Sequence, residues 1–203
     1  MVQERLSARC LPVLLVMALG VLLCTSGCGK EKPPPAADRQ ETEGAAAMAI
    51  TLTSDAFTNG SPMPSRYTVD GADVSPPLKW ANVPKEAVSL VLICDDLDAG
   101  GWVHWVVTGI PAAVTELPEG ASSVKAGKKP TGCFEGVNGW GDVGWRGPSP
   151  PPPSGTHRYS FRLYALDTLV DLKPGATKAD LLKAMEGHIL ATGELVGTYL
   201  RQR

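Results

Sequence analysis

Beyond Ala49 the chain alternates short extended apolar segments with connections rich in proline and glycine, a rhythm that favours strands and leaves room for one helix. Ile50-Thr51-Leu52-Thr53 alternates apolar and polar residues, as a half-buried strand does. Ser89 to Cys94 is a continuous apolar run of strand length and reads as a strand buried on both faces. Val103 to Val107 is another strand, ended by Gly109 and Pro111. From Tyr159 to Leu166 the alternation is clean, with Tyr159, Phe161, Leu163 and Ala165 on one side and Ser160, Arg162 and Tyr164 on the other. A last extended segment runs from Leu195 to Leu200. The pattern predicts an all-β sandwich or barrel with one or two short helices. Thr177, with Asp180 three residues on, opens the one clear helix, and Leu181, Leu182, Met185 and Ile189 form its apolar face against the sheet edge.

The 203 residues suffice for one domain with a sizeable core and barely for two. With 19 basic against 21 acidic side chains there is no surplus to neutralise a run of phosphates, which argues against nucleic acid as a partner. Of the five cysteines, Cys10, Cys24 and Cys28 lie near the N-terminus, outside any domain framework. Cys94 and Cys133 can pair in an oxidising compartment, a question that spacing alone leaves open.

Arg5 and Arg9 precede an apolar stretch from Leu11 to Leu23, and small residues lead into Cys28. That order is a signal segment, residues 1–27, and the stretch is too short to cross a bilayer as a helix. Ser26-Gly27-Cys28 resembles the end of a bacterial lipobox, with Thr25 where leucine is usual; lipidation of Cys28 is the expectation, and an ordinary secretory cut nearby is the alternative. Residues 28–47 carry prolines, charges and alanines without apolar periodicity, so they read as a flexible tether. The domain is residues 48–203. The expected place is the bacterial envelope, exported and held at a membrane through an N-terminal lipid.

Three clusters carry chemistry. Asp95-Asp96-Leu97-Asp98 follows the buried strand, His104-Trp105 lies inside the next one, and Gly147-Pro148-Ser149 opens a proline run that leads to Gly155-Thr156-His157-Arg158-Tyr159. Each alone has a plain structural reading as a solvated turn, a core histidine or a stiff loop. Together, carboxylates at a strand end and two strand histidines can converge on one pocket, where a carboxylate beside an imidazole favours the imidazolium. Glycines and prolines would let backbone approach a bound anion closely.

The combination resembles the phosphatidylethanolamine-binding protein family, in its bacterial Raf-kinase-inhibitor-like branch. The family's Asp-Pro-Asp-Ala-Pro segment and His-Trp pair appear as Asp96-Leu97-Asp98-Ala99-Gly100 and His104-Trp105. Its proline loop and Gly-x-His-Arg-Tyr appear as Gly147 to Pro151 and Gly155 to Tyr159, and further matching stretches run from Tyr67 to Trp80, Glu186 to His188 and Glu194 to Tyr199. The resemblance implies a Greek-key sandwich of two antiparallel sheets with a small anion pocket at one end. It implies that Asp96, Asp98, His104 and His157 line that pocket, with Pro148 and Tyr159 as walls. It also implies phosphorylated head groups or related anions as ligands, homodimers in bacterial members, and kinase or protease inhibition through protein contacts in some.

Leu97 and Gly100 replace prolines of the family pattern, and the proline loop, ending at Pro153, is longer than usual. Ser149 stands where cysteine is frequent and Trp145 where tyrosine is. His188 matches the pattern but reads as a helix-surface or supporting residue. The leading expectation is a non-catalytic binder of a small phosphorylated or carboxylate anion, because Ser149 and Ser154 show no evident base partner and Cys94 sits mid-strand. No cofactor and no resident metal are expected. An interaction module presenting the proline loop with Trp102, Trp140 and Trp145 as exposed candidates is the second reading, and a metal-dependent hydrolase on the same histidines and carboxylates is the third.

Overall fold

The computed structural model describes residues 48–128, 130–170 and 175–202. The expected signal segment, Cys28 and the tether lie outside the described residues. Strands among the described residues are β1 (Met48–Ala49), β2 (Thr51–Thr53), β3 (Leu78–Ala81), β4 (Ser89–Asp96), β5 (Trp102–Pro111), β6 (Glu116–Leu117), β7 (Phe134–Glu135), β8 (Thr156–Leu166) and β9 (Ile189–Leu200), with helix α1 (Lys178–Met185) before β9. They form a six-stranded sheet in the order β1-β9-β8-β4-β5-β7 and a three-stranded sheet in the order β2-β3-β6. Pairing is antiparallel throughout, apart from the short parallel contact of β1 with β9. The two-sheet, mostly β architecture is the one expected.

The continuous apolar run of β4 has a direct cause. Flanked by β5 and β8, it is covered on both faces, and every one of its residues is buried. Leu90, Leu92 and Cys94 face the smaller sheet and meet Leu52, Leu78, Trp80, Trp105 and Phe161. Val91 and Ile93 face the other way, where Val106, Leu166, Leu181 and Met185 close a second, smaller core. In β8 the odd-numbered residues Tyr159 to Ala165 enter the first core, as the alternation predicted.

Helix α1 therefore covers a face of the large sheet rather than its edge. Its capping box is present, with Thr177 Oγ1 accepting from the Asp180 amide and the Asp180 carboxylate accepting from the Thr177 amide. Leu181 and Met185 are buried, Leu182 is 40 % exposed, and Ile189 belongs to β9. The helical spacing ran past the true end because Gly187, at φ 80°, turns the chain back into the sheet. Cys94 and Cys133 are both free thiols. Cys94 is fully buried in β4, and burial pushes its thiol far above the usual range, so it behaves as a small apolar side chain.

At one end of the large sheet three strand ends meet. Asp96, the last residue of β4, pairs in register with Trp102 of β5 and Tyr159 of β8. The turn between β4 and β5 is a 3₁₀ segment, Leu97–Ala99, in which the Asp96 side chain accepts from the Asp98 amide at 2.9 Å and Gly100 at φ 66° reverses the chain. Phe161 lies fully buried beneath this end, its ring 5.8 Å from that of Trp145 and stacked at 18°. Phe161→Ala should cost about 3–5 kcal/mol, read as a lower urea midpoint at unchanged slope.

Candidate functional site

A cavity of about 170 Å³ opens at the meeting point of β4, β5 and β8. Asp96, His104, His157 and Ser149 supply its polar lining, and Trp102, Trp140, Pro150 and Pro151 supply walls. Such a volume is well below the roughly 300–1,000 Å³ of drug-sized sites.

His104 reaches the cavity through a register shift. Cys94 pairs with Trp105 while the next residue, Asp95, pairs with Val103, so His104 is the extra residue of a bulge in β5. A bulge re-aims a side chain, and here His104 joins Trp105 on the inner side instead of alternating away from it. Its ring meets Tyr159 edge-on at 5.1 Å and Trp140 at 5.1 Å. Nδ1 lies 2.6 Å from the Arg146 carbonyl, which can only accept, so Nδ1 carries the proton and donates. Nε2 makes no hydrogen bond among the described residues. Burial pushes this imidazole below its ordinary titration range, against smaller opposing effects of the Arg146 carbonyl and nearby carboxylates. The neutral ring thus offers Nε2 as an acceptor that becomes a donor only when an extra proton arrives.

His157 is held differently. Its Nδ1 lies 2.7 Å from Asp96 Oδ2, and both side chains are buried, at 8 % and 5 % exposure. A buried carboxylate without a partner costs several kcal/mol, so the pair fixes each member. Nε2 of the same ring lies 2.9 Å from Ser154 Oγ. The expectation that Ser154 lacks a base partner is therefore corrected, since the reach of a loop serine back across three residues leaves no trace in the chain's pattern.

Tyr159 and Pro148, expected as walls, do not line the cavity. Tyr159 is fully buried beneath it, against both imidazoles, with ring distances of 5.1 Å to His104 and 6.5 Å to His157. Its phenol makes no hydrogen bond of ordinary geometry, and burial first, then the Asp96 carboxylate, holds it protonated far above its usual range. Pro148 is buried, its carbonyl accepting from the Val69 amide at 3.2 Å.

Asp98 is likewise not in the lining. Arg158 grips it through Nε at 3.0 Å and Nη2 at 2.9 Å, and the Arg158 amide donates to it at 2.8 Å. Those bonds pull its carboxyl down to about 2. Asp98 pins the turn to β8, which keeps Asp96 in place.

The proline loop is braced from below. Asp73, buried and at φ 57°, accepts from the Gly147 amide at 2.7 Å, and a Cβ at Gly147 would run into the Tyr67 carbonyl. Of the tryptophans expected at the surface, Trp102 and Trp140 are 43 % and 37 % exposed, whereas Trp145 is fully buried in the core. His188 pairs with Asp167 at 2.8 Å. Among the described residues no three His, Cys, Asp or Glu side chains group closely enough to hold a metal ion.

The phosphatidylethanolamine-binding protein family model matches residues 53–200, nearly the whole described chain. The chain belongs to the phosphatidylethanolamine-binding protein family. A UPF0098 protein of Methanothermobacter thermautotrophicus is 53 % identical over 154 residues, covering 75 % of this chain and 99 % of its own. A Mycobacterium tuberculosis protein, provisionally named a lipoprotein, is 38 % identical over 191 residues, 91 % of each chain. Among solved structures, a Chlamydia trachomatis homologue of phosphatidylethanolamine-binding protein shares 42 % identity at a TM-score of 0.67, covering 76 % of this chain and 99 % of its own. An Escherichia coli protein described as a new member of the mammalian family shares 30 % at 0.70, covering 75 % and 99 %.

For this family member the His104 imidazole has a measurable consequence. The unfolded chain takes up a proton near pH 6.5, before the native state does, because the native value is depressed. That share of stability is complete above about pH 6.5 and is lost as pH falls toward the native value. In urea titrations between about pH 6.5 and pH 5, His104→Gln should therefore lose less stability than the wild type; parallel curves would assign the acid sensitivity elsewhere.

Proposed function

We propose that the protein is a membrane-tethered binder of small phosphorylated anions, including the head groups of phospholipids, and that the cavity binds its ligand without turning it over. The carrying observation is that two imidazoles held by unlike partners, His104 by the Arg146 carbonyl and His157 by the Asp96 carboxylate, face one small hollow. The hollow suits a head group rather than a whole lipid. A phosphate brings the negative charge that favours a proton on His104 Nε2, which then donates to it. Trp102 and Trp140 supply apolar walls for the carbons of the ligand. Within the lining, Ser149 accepts from Arg201 at 3.2 Å and bonds neither imidazole among the described residues, which supports binding over catalysis.

The tether reading rests on the order of charged, apolar and small residues before Cys28 and on the provisional lipoprotein name of the M. tuberculosis relative. If it holds, Cys28→Ser should move the protein from the membrane fraction to the soluble one, seen by fractionation and immunoblot. Retention of the variant in membranes would reject a lipid on Cys28.

For the pocket, calorimetry with phosphorylethanolamine should show His157→Ala weakening binding at least about tenfold, near 1.4 kcal/mol. Binding to the wild type should take up protons, and so tighten as pH falls through the histidine range. Equal affinities of wild type and variant would remove the assignment.

A further inference from the structure

The pocket reading uses Asp96 and His157 but gives no role to Ser154. Yet Ser154 Oγ lies 2.9 Å from His157 Nε2, whose ring is held through Nδ1 by Asp96 at 2.7 Å. Asp96 is 3 % exposed and its other oxygen accepts from the Asp98 amide, so the carboxylate cannot swing away. A hydroxyl bonded to an imidazole that a buried carboxylate orients is the arrangement that activates serine for acyl transfer. Ser154 is exposed, and it borders a second hollow of about 170 Å³ formed with Pro153, Gly155, Leu200 and Arg201. A reagent can therefore approach it without entering the first cavity.

We propose that Ser154 is a nucleophile that accepts one acyl or phosphoryl group from an activated donor. A lone pair on Oγ forms the bond to the carbonyl carbon or phosphorus, and the hydroxyl proton passes to His157 Nε2. The bond to the leaving group breaks, and that group departs with its electron pair, taking up the proton from the imidazolium. Nothing is oxidised or reduced.

The sequence of steps stops at the adduct because few donors are left for an oxyanion. Pro152 and Pro153 have no N–H, and the Ser154 amide donates to the Pro151 carbonyl at 2.9 Å. The Gly155 amide follows the serine directly and makes no backbone hydrogen bond among the described residues. One donor serves where efficient acyl-enzyme turnover uses two. Arg201 is committed to Ser149 and Asp70. Ser154 is accordingly a single-turnover acceptor, and its modification would place a group beside the mouth of the anion cavity.

Among the described residues, the titratable and charged groups around His157 are Asp96 at the end of β4, Asp98 in the turn after it, His104 from β5, Arg158 and Tyr159 from β8, and Tyr199 from β9. Of these, Asp96 bonds the ring.

The test is reaction of the purified protein with a fluorophosphonate, read by intact mass and peptide mapping. Here the P–F bond breaks and fluoride leaves. The wild type should gain one adduct, at Ser154, at a rate that rises with pH as a reaction needing an unprotonated base does. Ser154→Ala, a change at an exposed loop position, should gain none, and His157→Gln should label at least about tenfold more slowly, without that rise. The wild-type pH profile carries the same information should His157→Gln fail to fold. Absence of the Ser154 adduct where a reference serine hydrolase is saturated, spread over several serines, or an unchanged rate in His157→Gln would overturn the proposal. No phosphate ligand takes part, so loss of the anion-binding reading would leave this result standing, and the reverse.

Discussion

The buried bond between Asp96 and His157 holds this end of the protein together. Asp96 closes β4, His157 lies near the start of β8, and 61 positions of chain separate them. Removing either partner would leave one buried polar atom of the other, Asp96 Oδ2 or His157 Nδ1, without its match. The geometry around the pair follows from keeping it intact: Asp98 is clamped by Arg158, the turn is capped by Asp96 itself, and Tyr159 packs against both imidazoles. The residues that resemble a ligand set are in good part a scaffold for one hydrogen bond.

That division explains which parts of the site could be read from the sequence. Residue types and order were legible, and Asp96, His104 and His157 do share a hollow. Asp98, Pro148 and Tyr159 belong to the same constellation yet support it from outside, a distinction that rests on distances of a few ångströms. The orientation of His104 depends on a bulge, and a strand pattern of period two cannot announce a residue that breaks the period. The Ser154 contact depends on the path of a proline loop, which propensity does not fix.

The fold was more legible because burial writes itself into composition. The unbroken apolar run of β4 marked the centre of the large sheet, and the alternation in β8 separated its two cores. The errors lie where helix and strand periods coincide for a few residues. Ile189 continues the helical spacing of Leu181 and Met185, but a glycine intervenes and the residue opens β9. Trp145 illustrates the same limit from another side, as a large aromatic in a glycine-rich loop whose side chain stacks deep in the core on Phe161.

Loop segments bond along both long margins of the six-stranded sheet. Along β9, amides and carbonyls at Thr192, Val196 and Thr198 are bonded by the segment from Ile50 to Met63, including Asn59 through its side chain. Along β5, residues Val103, His104 and Val106 are bonded by Gly139, Arg146 and Gly136. At those positions an incoming peptide or a second copy would find the backbone groups already bonded. A surface approaching the sheet at those positions would meet side chains and loop segments rather than open backbone groups.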